Sequence, residues 1–173
     1  MKSSTAARSP LSSAHGRVVV GVDGSPAADQ ALRWAADEAA LRHTELEVVS
    51  CWSTPPAITP AAVAMSTEVS KVLESSARRV VDHSARIAGL RQDQIAVHRV
   101  VMRGSPGASL VGRSDGAGLL VVGRRGRSVA AEVLLGSTSA YCLHHAHCPV
   151  VVIPPPERRE QQETPDLAAS RRD

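Results

Sequence analysis

Three short stretches hold the residues whose types and spacing suit a chemical task. Gly123-Arg124-Arg125-Gly126 is followed, after nine residues, by Gly136-Ser137-Thr138-Ser139, and far upstream stands Asp23 with Gly24 behind it. The first two stretches fit a phosphate. Gly123 and Gly126 permit close approaches that a Cβ would block. Gly136-Ser137 reads as the opening of a helix, whose free N–H groups and positive dipole end favour an anion. The hydroxyls of Ser137 and Ser139 add donors, and Asp23 is suited to accept from a ribose hydroxyl or to help hold a hydrated Mg2+. Glycines after a strand are also ordinary turn residues, and Gly-Ser before a helix is an ordinary cap. Spacing alone therefore leaves a nucleotide site and a plain pair of turns both open.

Other chemistries lack their residues. There is no Gly-x4-Gly-Lys-Ser/Thr, and the only lysines, Lys2 and Lys71, stand far from any glycine loop, which excludes a P-loop NTPase. No Gly-x-Gly-x-x-Gly follows the first strand. His144, His145, His147 and Cys148 crowd together without the second Cys or His pair of a structural zinc site, and read as surface and cap histidines at a helix end. Cys51 in an apolar run reads as a buried small residue. Arg124 and Arg125 are either solvated loop charges or a phosphate contact. Trp34 falls on the apolar face of a helix and reads as core.

Composition sets the frame for these residues. The chain has 173 residues, 43% of them hydrophobic, with no Phe, one Tyr and two Trp. One domain is expected, its core built from Val, Leu, Ile and Ala. The formal charge of +3 is carried almost wholly by scattered arginines with no aromatic interleaving, which argues against nucleic acid as a partner. Three cysteines without a Cys-x-x-Cys pair suit a reducing compartment. No signal peptide is evident and no run reaches the roughly 18 apolar residues that span a bilayer, so a cytoplasmic location without membrane contact is expected.

The elements that must position the site alternate. Residues 1–15 are Ser/Ala-rich and expected to be a disordered tail; 156–173, charged and following a run of prolines, reads as a second flexible tail. Between them, 16–155 forms the domain. Arg17–Asp23 is a β-branched first strand, and Ser25-Pro26 an N-cap with proline at the first helical position of a helix running to about His43. Leu46–Cys51 is the second strand, and Thr54–Pro60 a proline-rich loop long enough to be a flap. A helix from Ser66 to about Leu90 follows, with Val69, Val72, Leu73, Val80, Val81 and Ile87 as its buried stripe. Ile95–Met102, Leu119–Val122 and Pro149–Ile153 are the remaining strands. Ser105-Pro106 and Ser137 open the remaining helices, with Leu110 and Val111 on the inner side of the first. Five strands separated by helices imply an open parallel sheet with helices on both faces. Such sheets bind ligands beyond the carboxyl ends of their strands, where the winding reverses. If the first and fourth strands are neighbours, Asp23 and the glycine loop face each other across one crevice.

The spacing Gly-x2-Gly-x9-Gly-Ser from Gly123 to Ser137 resembles the ATP-binding signature of the universal stress protein family. Val20-Gly21-Val22-Asp23-Gly24-Ser25 is similar to that family's first strand, and His144 through Ile153 to its last. The resemblance covers about residues 16–153. It implies the strand order 3-2-1-4-5, which would place the fourth strand beside the first. It also implies roles: Asp23 near the ribose and phosphates, and Gly123, Gly126, Gly136 and Ser137 in the phosphate loop. Val22 and Cys51 would line an adenine pocket flanked by Val122, and Thr138 and Ser139 would continue the phosphate contacts. ATP with Mg2+ is the implied ligand, and a homodimer through Val150–Ile153 the implied assembly. The spacer residues Arg127–Glu132 depart from the small, Gly-rich start often seen there.

Three functions follow for testing. The first is a nucleotide-binding regulatory protein of the stress response. It is favoured because the chain supplies a phosphate cradle and one carboxylate, but no general base aimed at a water and no second acidic cluster. The second is an enzyme, a slow ATPase or a protein that phosphorylates itself, using Asp23 with Mg2+ and the hydroxyls of Ser137 or Ser139. The third is a dimeric scaffold that holds no nucleotide.

Overall fold

The strands are Val-rich because both faces of the sheet are covered. In the computed structural model, which describes residues 16–54, 60–88, 95–124 and 135–156, the strands are β1 (Arg17–Gly21), β2 (Leu46–Trp52), β3 (Val97–Arg103), β4 (Ala117–Gly123) and β5 (Val150–Ile153). All pair in parallel in the order β3-β2-β1-β4-β5. The period of two sends Val18, Val20, Leu46, Val48 and Val121 to one core, under α1 (Pro26–Leu41) and α2 (Pro60–Ala88). Val19, Val49, Leu120 and Val122 go to the other, with Leu110 of α3 (Pro106–Ser114) and Cys142 of α4 (Ser137–His145). The expected fold class and strand order are therefore observed, with the helices shared between two faces.

Small residues let α1 lie close on a sheet without aromatics. Ala27, Ala28, Ala31, Ala35, Ala36 and Ala39 are its buried residues beside Leu32. The Ser-Pro start works as expected: Ser25 Oγ accepts from the Ala28 N–H at 3.2 Å. At α3 the same dipeptide opens the helix without a side-chain cap.

Two expectations need correction. Helix α2 begins at Pro60 instead of Ser66, and its buried positions include Ala77, Val81, Ser84, Ala85 and Ala88, whereas Val69 and Val72 are exposed. Length explains this. A 29-residue helix is about 43 Å long, while the seven-residue strands beneath span about 23 Å. The sheet can cover only part of the helix, and beyond its reach Val69 and Val72 keep the apolar spacing but stay exposed. Trp34 is half-buried: it packs on the α1 core but also walls a surface groove. The terminal tails (1–15 and 157–173) and the centre of the flap (55–59) lie outside the described residues. No helix among the described residues is long and apolar enough to cross a membrane.

Candidate functional site

The winding reverses between β1 and β4. Their register pairs Val18 with Leu119, Val19 with Leu120 and Val20 with Val121. The segment Val22-Asp23-Gly24 after β1 and Gly123 at the end of β4 therefore meet at one rim, as the crevice required. The loop after β1 turns sharply: Gly24 has φ +80°, a left-handed conformation that disfavours side chains. Asp23 Oδ1 accepts from the Ser25 N–H at 3.0 Å, an Asx turn that fixes the half-buried carboxylate at the mouth of the crevice.

On the other side Arg124 ties the loop between β4 and α4 together. Its N–H donates to the Ile153 carbonyl at 2.7 Å, extending the β4–β5 ladder by one residue. Its carbonyl accepts from the Gly136 N–H at 2.9 Å and from the Ser139 hydroxyl at 3.0 Å; that hydroxyl has the Gly136 carbonyl as an alternative acceptor at 2.9 Å. Whatever path residues 125–134 follow, the loop is closed at its base, and α4 starts directly beside the end of β4. Ser139 is 2% exposed and serves as this clasp, so its hydroxyl does not point to solvent in the way Ser137, which is exposed, does. Thr138 is half-buried between them.

Two helix N-termini near this rim are treated differently. That of α1 is satisfied by its own buried Ser25, whereas α4 is headed by Gly136, which has no side chain with which to cap. The early N–H groups of α4 keep their capacity for an anion. A second group matches them: the Arg124 Nε is buried and has no hydrogen-bond partner among the described residues. A guanidinium N–H left without an acceptor beside an uncapped helix start is what a phosphate oxygen would satisfy.

Gly123 has a further role. A Cβ there would lie 3.0 Å from the Ala27 carbonyl carbon and 3.1 Å from its Cβ, so the first turn of α1 presses against the end of β4. Val22 and Val122 are both buried, on opposite faces of the sheet, so their side chains cannot both face one ligand. Cys51, half-buried at the end of β2, faces α3; burial raises its thiol, with a Ser109 hydrogen bond pulling the other way. Gly126 and Arg125 lie outside the described residues.

The histidines behave as a helix end. His145 packs on Tyr141 with ring centroids 4.4 Å apart, and the His147 N–H donates to Ser114 Oγ. No group of three or more His, Cys, Asp or Glu side chains among the described residues is arranged to hold a metal.

Sequence reasoning missed one cluster altogether. Glu47, 4% exposed in β2, takes Arg113 Nε at 2.6 Å and Arg113 Nη2, with Arg17 Nε 3.2 Å away. The signal was available: Glu47 is the lone charge inside Leu46–Trp52.

A family model described as the universal stress protein family matches residues 15–154. The universal stress protein Rv1996 of Mycobacterium tuberculosis is 35% identical over 151 residues, covering 78% of this chain and 47% of that protein. This chain thus spans about half the length of the curated relatives it matches. Among solved structures, the universal stress protein UspA from Lactobacillus plantarum is similar with a TM-score of 0.71 at 24% identity, over 80% of this chain and 97% of that one. A universal stress protein solved in complex with cAMP is similar with a TM-score of 0.59 at 24% identity, over 82% and 98%.

Proposed function

This chain belongs to the universal stress protein family, and we propose that it binds ATP, with Mg2+, at the crevice between β1 and β4 and acts as a nucleotide-dependent regulator of a cytoplasmic stress response. The observation that carries this reading is the uncapped start of α4 beside the unpartnered Nε of Arg124. The phosphates lie against Gly123, Gly126, Gly136 and Ser137, with Thr138 next to them and Ser139 clasping the loop from behind. Asp23 faces the ribose and the water shell of Mg2+. The backbone at Val22, Cys51 and Val122 borders the base. The family neighbour solved with cAMP supports an adenine nucleotide as the class of ligand. The protein pairs with a second copy through the outer edge of β5, Val150–Ile153, which ends the sheet and would otherwise leave backbone groups unpaired.

Isothermal titration of the nucleotide-stripped full chain with ATP and Mg2+ tests the site, beside Ser137→Glu. The new carboxylate occupies the anion position at the helix start. ATP affinity is expected to fall at least tenfold while stability stays level or rises by about 0.3–1 kcal/mol from the helix dipole. Absence of ATP binding by wild type, or equal binding by the variant, overturns the reading. Titration with cAMP shows whether the site prefers a triphosphate, and sedimentation with a lysine in place of Val151 tests the dimer edge.

A further inference from the structure

The end of β2 holds a tryptophan that neither core uses. Trp52 is half-buried, yet it belongs to neither apolar cluster of the described residues. Strand alternation explains this. Val49 and Cys51 turn to the side of α3 and α4, so Trp52 turns to the side of α1 and α2, which Val22 shares. There β2 outruns its neighbour: the β1–β2 register ends at Gly21 and Val49, whereas β2 runs on beside β3 to Trp52 and Arg103. The indole therefore stands at the carboxyl rim of the sheet, beyond the last residue of β1.

Arg103, its partner across the β2–β3 ladder, lies over the ring with its guanidinium carbon 5.5 Å from the centroid. That cation engages one face of the indole. The rim beside it is roomy. Carried on by three residues, the Gly21–Val49 register brings Gly24 level with Trp52. Among the described residues, a Cβ added at Gly24 would meet only Val80 Cγ2, at 3.5 Å, besides its chain neighbours. A large ring left partly in water outside the core gains from a planar partner. The nucleotide reading supplies one. Phosphates at the start of α4 and a ribose at Asp23 lay the ligand from β4 across β1, so its base arrives at the end of β2. From β4 to β2 is two strand spacings, about 10 Å, within reach of a nucleoside triphosphate.

We propose that Trp52 is the stacking platform for the base of that nucleotide, with Arg103 backing the ring; this rests on the nucleotide reading above. A two-ring purine covers more of the indole than a one-ring pyrimidine, while the phosphates are held alike. Trp52 thus sets a preference for purine nucleotides.

The test uses the full chain with Mg2+ and two triphosphates, ATP and CTP. Trp34→Phe leaves Trp52 as the single tryptophan, and ATP is expected to quench its emission saturably, CTP less so. By isothermal titration, wild type binds ATP more tightly than CTP. Trp52→Ala narrows that ratio at least about fivefold, and Trp52→Phe keeps most of it. Equal weakening of both nucleotides in Trp52→Ala would assign the indole a structural role and overturns the proposal. ATP binding that leaves Trp52 emission unchanged overturns it too, with the nucleotide site intact. Wild type that binds neither triphosphate sinks the nucleotide reading and this inference with it.

Discussion

At the N-terminal ends of the strands Glu47 is held between two guanidinium groups, while at the C-terminal ends Arg124 keeps a buried Nε with no partner among the described residues. The lower rim is closed on itself in further ways. Arg17 Nη2 donates to the Arg113 carbonyl at 2.9 Å, Thr44 Oγ1 donates to the Gly16 carbonyl at 2.9 Å, and Ser114 Oγ donates to the Val111 carbonyl while accepting from the His147 N–H. The upper rim instead leaves a glycine-headed helix and an exposed Ser137 hydroxyl. An unmet buried donor costs about 1–3 kcal/mol. Arg17 Nε at the lower rim also makes no hydrogen bond, so each rim holds one such donor. The difference is that the lower one lies 3.2 Å from the Glu47 carboxylate, while Arg124 has no ion pair among the described residues. The contrast teaches that the lower rim supplies its own counter-charge and the upper rim does not.

Glu47→Ala attacks the closed rim and is expected to have the largest effect. It strands Arg113 and Arg17, whose side chains are 37% and 28% exposed. The loss should be about 2–3 kcal/mol, below the full penalty for breaking a buried pair because water reaches both arginines. Urea unfolding measures it, and ATP affinity of the folded variant should stay within about twofold. A loss under about 0.5 kcal/mol would mean that the cluster behaves as a surface pair, and the comparison between rims would fail.

Gly123→Val sharpens the comparison by hitting both functions at the upper rim. Its branched side chain meets Ala27, where even a Cβ lies at 3.0–3.1 Å, so destabilisation of about 1–3 kcal/mol is expected together with weaker nucleotide binding. Gly123→Ala should lose less stability. Full stability with lost binding would show that α1 yields and that this glycine is reserved for the ligand. Binding loss in Gly123→Val alone is therefore ambiguous, which is why Ser137→Glu is the cleaner probe of the site.

Much of this was legible in the chain because two periodicities carry it. Val-Val-Val runs fixed the buried strands, and Ser25-Pro26 fixed the start of α1, since both are local signals. The extent of α2 was not legible, because Val69 and Val72 keep a helical apolar spacing whether or not a sheet lies beneath them. At the site, glycine and serine positions could be named from spacing. What each does could not: the Ser139 hydroxyl is turned into a clasp by the carbonyls of Arg124 and Gly136, and Gly123 is pressed by a helix that begins a hundred residues earlier in sequence. Contacts of that kind depend on strand order, which the family resemblance supplied and hydropathy alone did not. Glu47 was readable as an anomaly, but its partners Arg17 and Arg113 lie 30 and 66 residues away.

The smallest effect near neutral pH comes from Cys142, on the helix that joins the two rims. Helix α4 starts at exposed Ser137, buries Cys142 completely, and ends near His147, whose N–H reaches Ser114. Burial, reinforced by Cys51 and Cys148 nearby, pushes the Cys142 thiol from 9.0 up to about 11. Because the folded value is the higher one, the native state keeps this proton after the unfolded chain has released it. Stability should be insensitive to Cys142 below pH 9, fall as pH rises from about 9 to 11, and level off beyond. Cys51 and Cys148 are raised in the same direction and add to the slope. Urea midpoints of wild type and Cys142→Ala, measured from pH 7 to 11 and subtracted, isolate the residue from other groups that titrate there. The difference should shrink with rising pH, as wild type loses what the alanine variant never had. A difference that stays flat across that range would mean that water reaches the thiol, and that the middle of α4 is as open as its start.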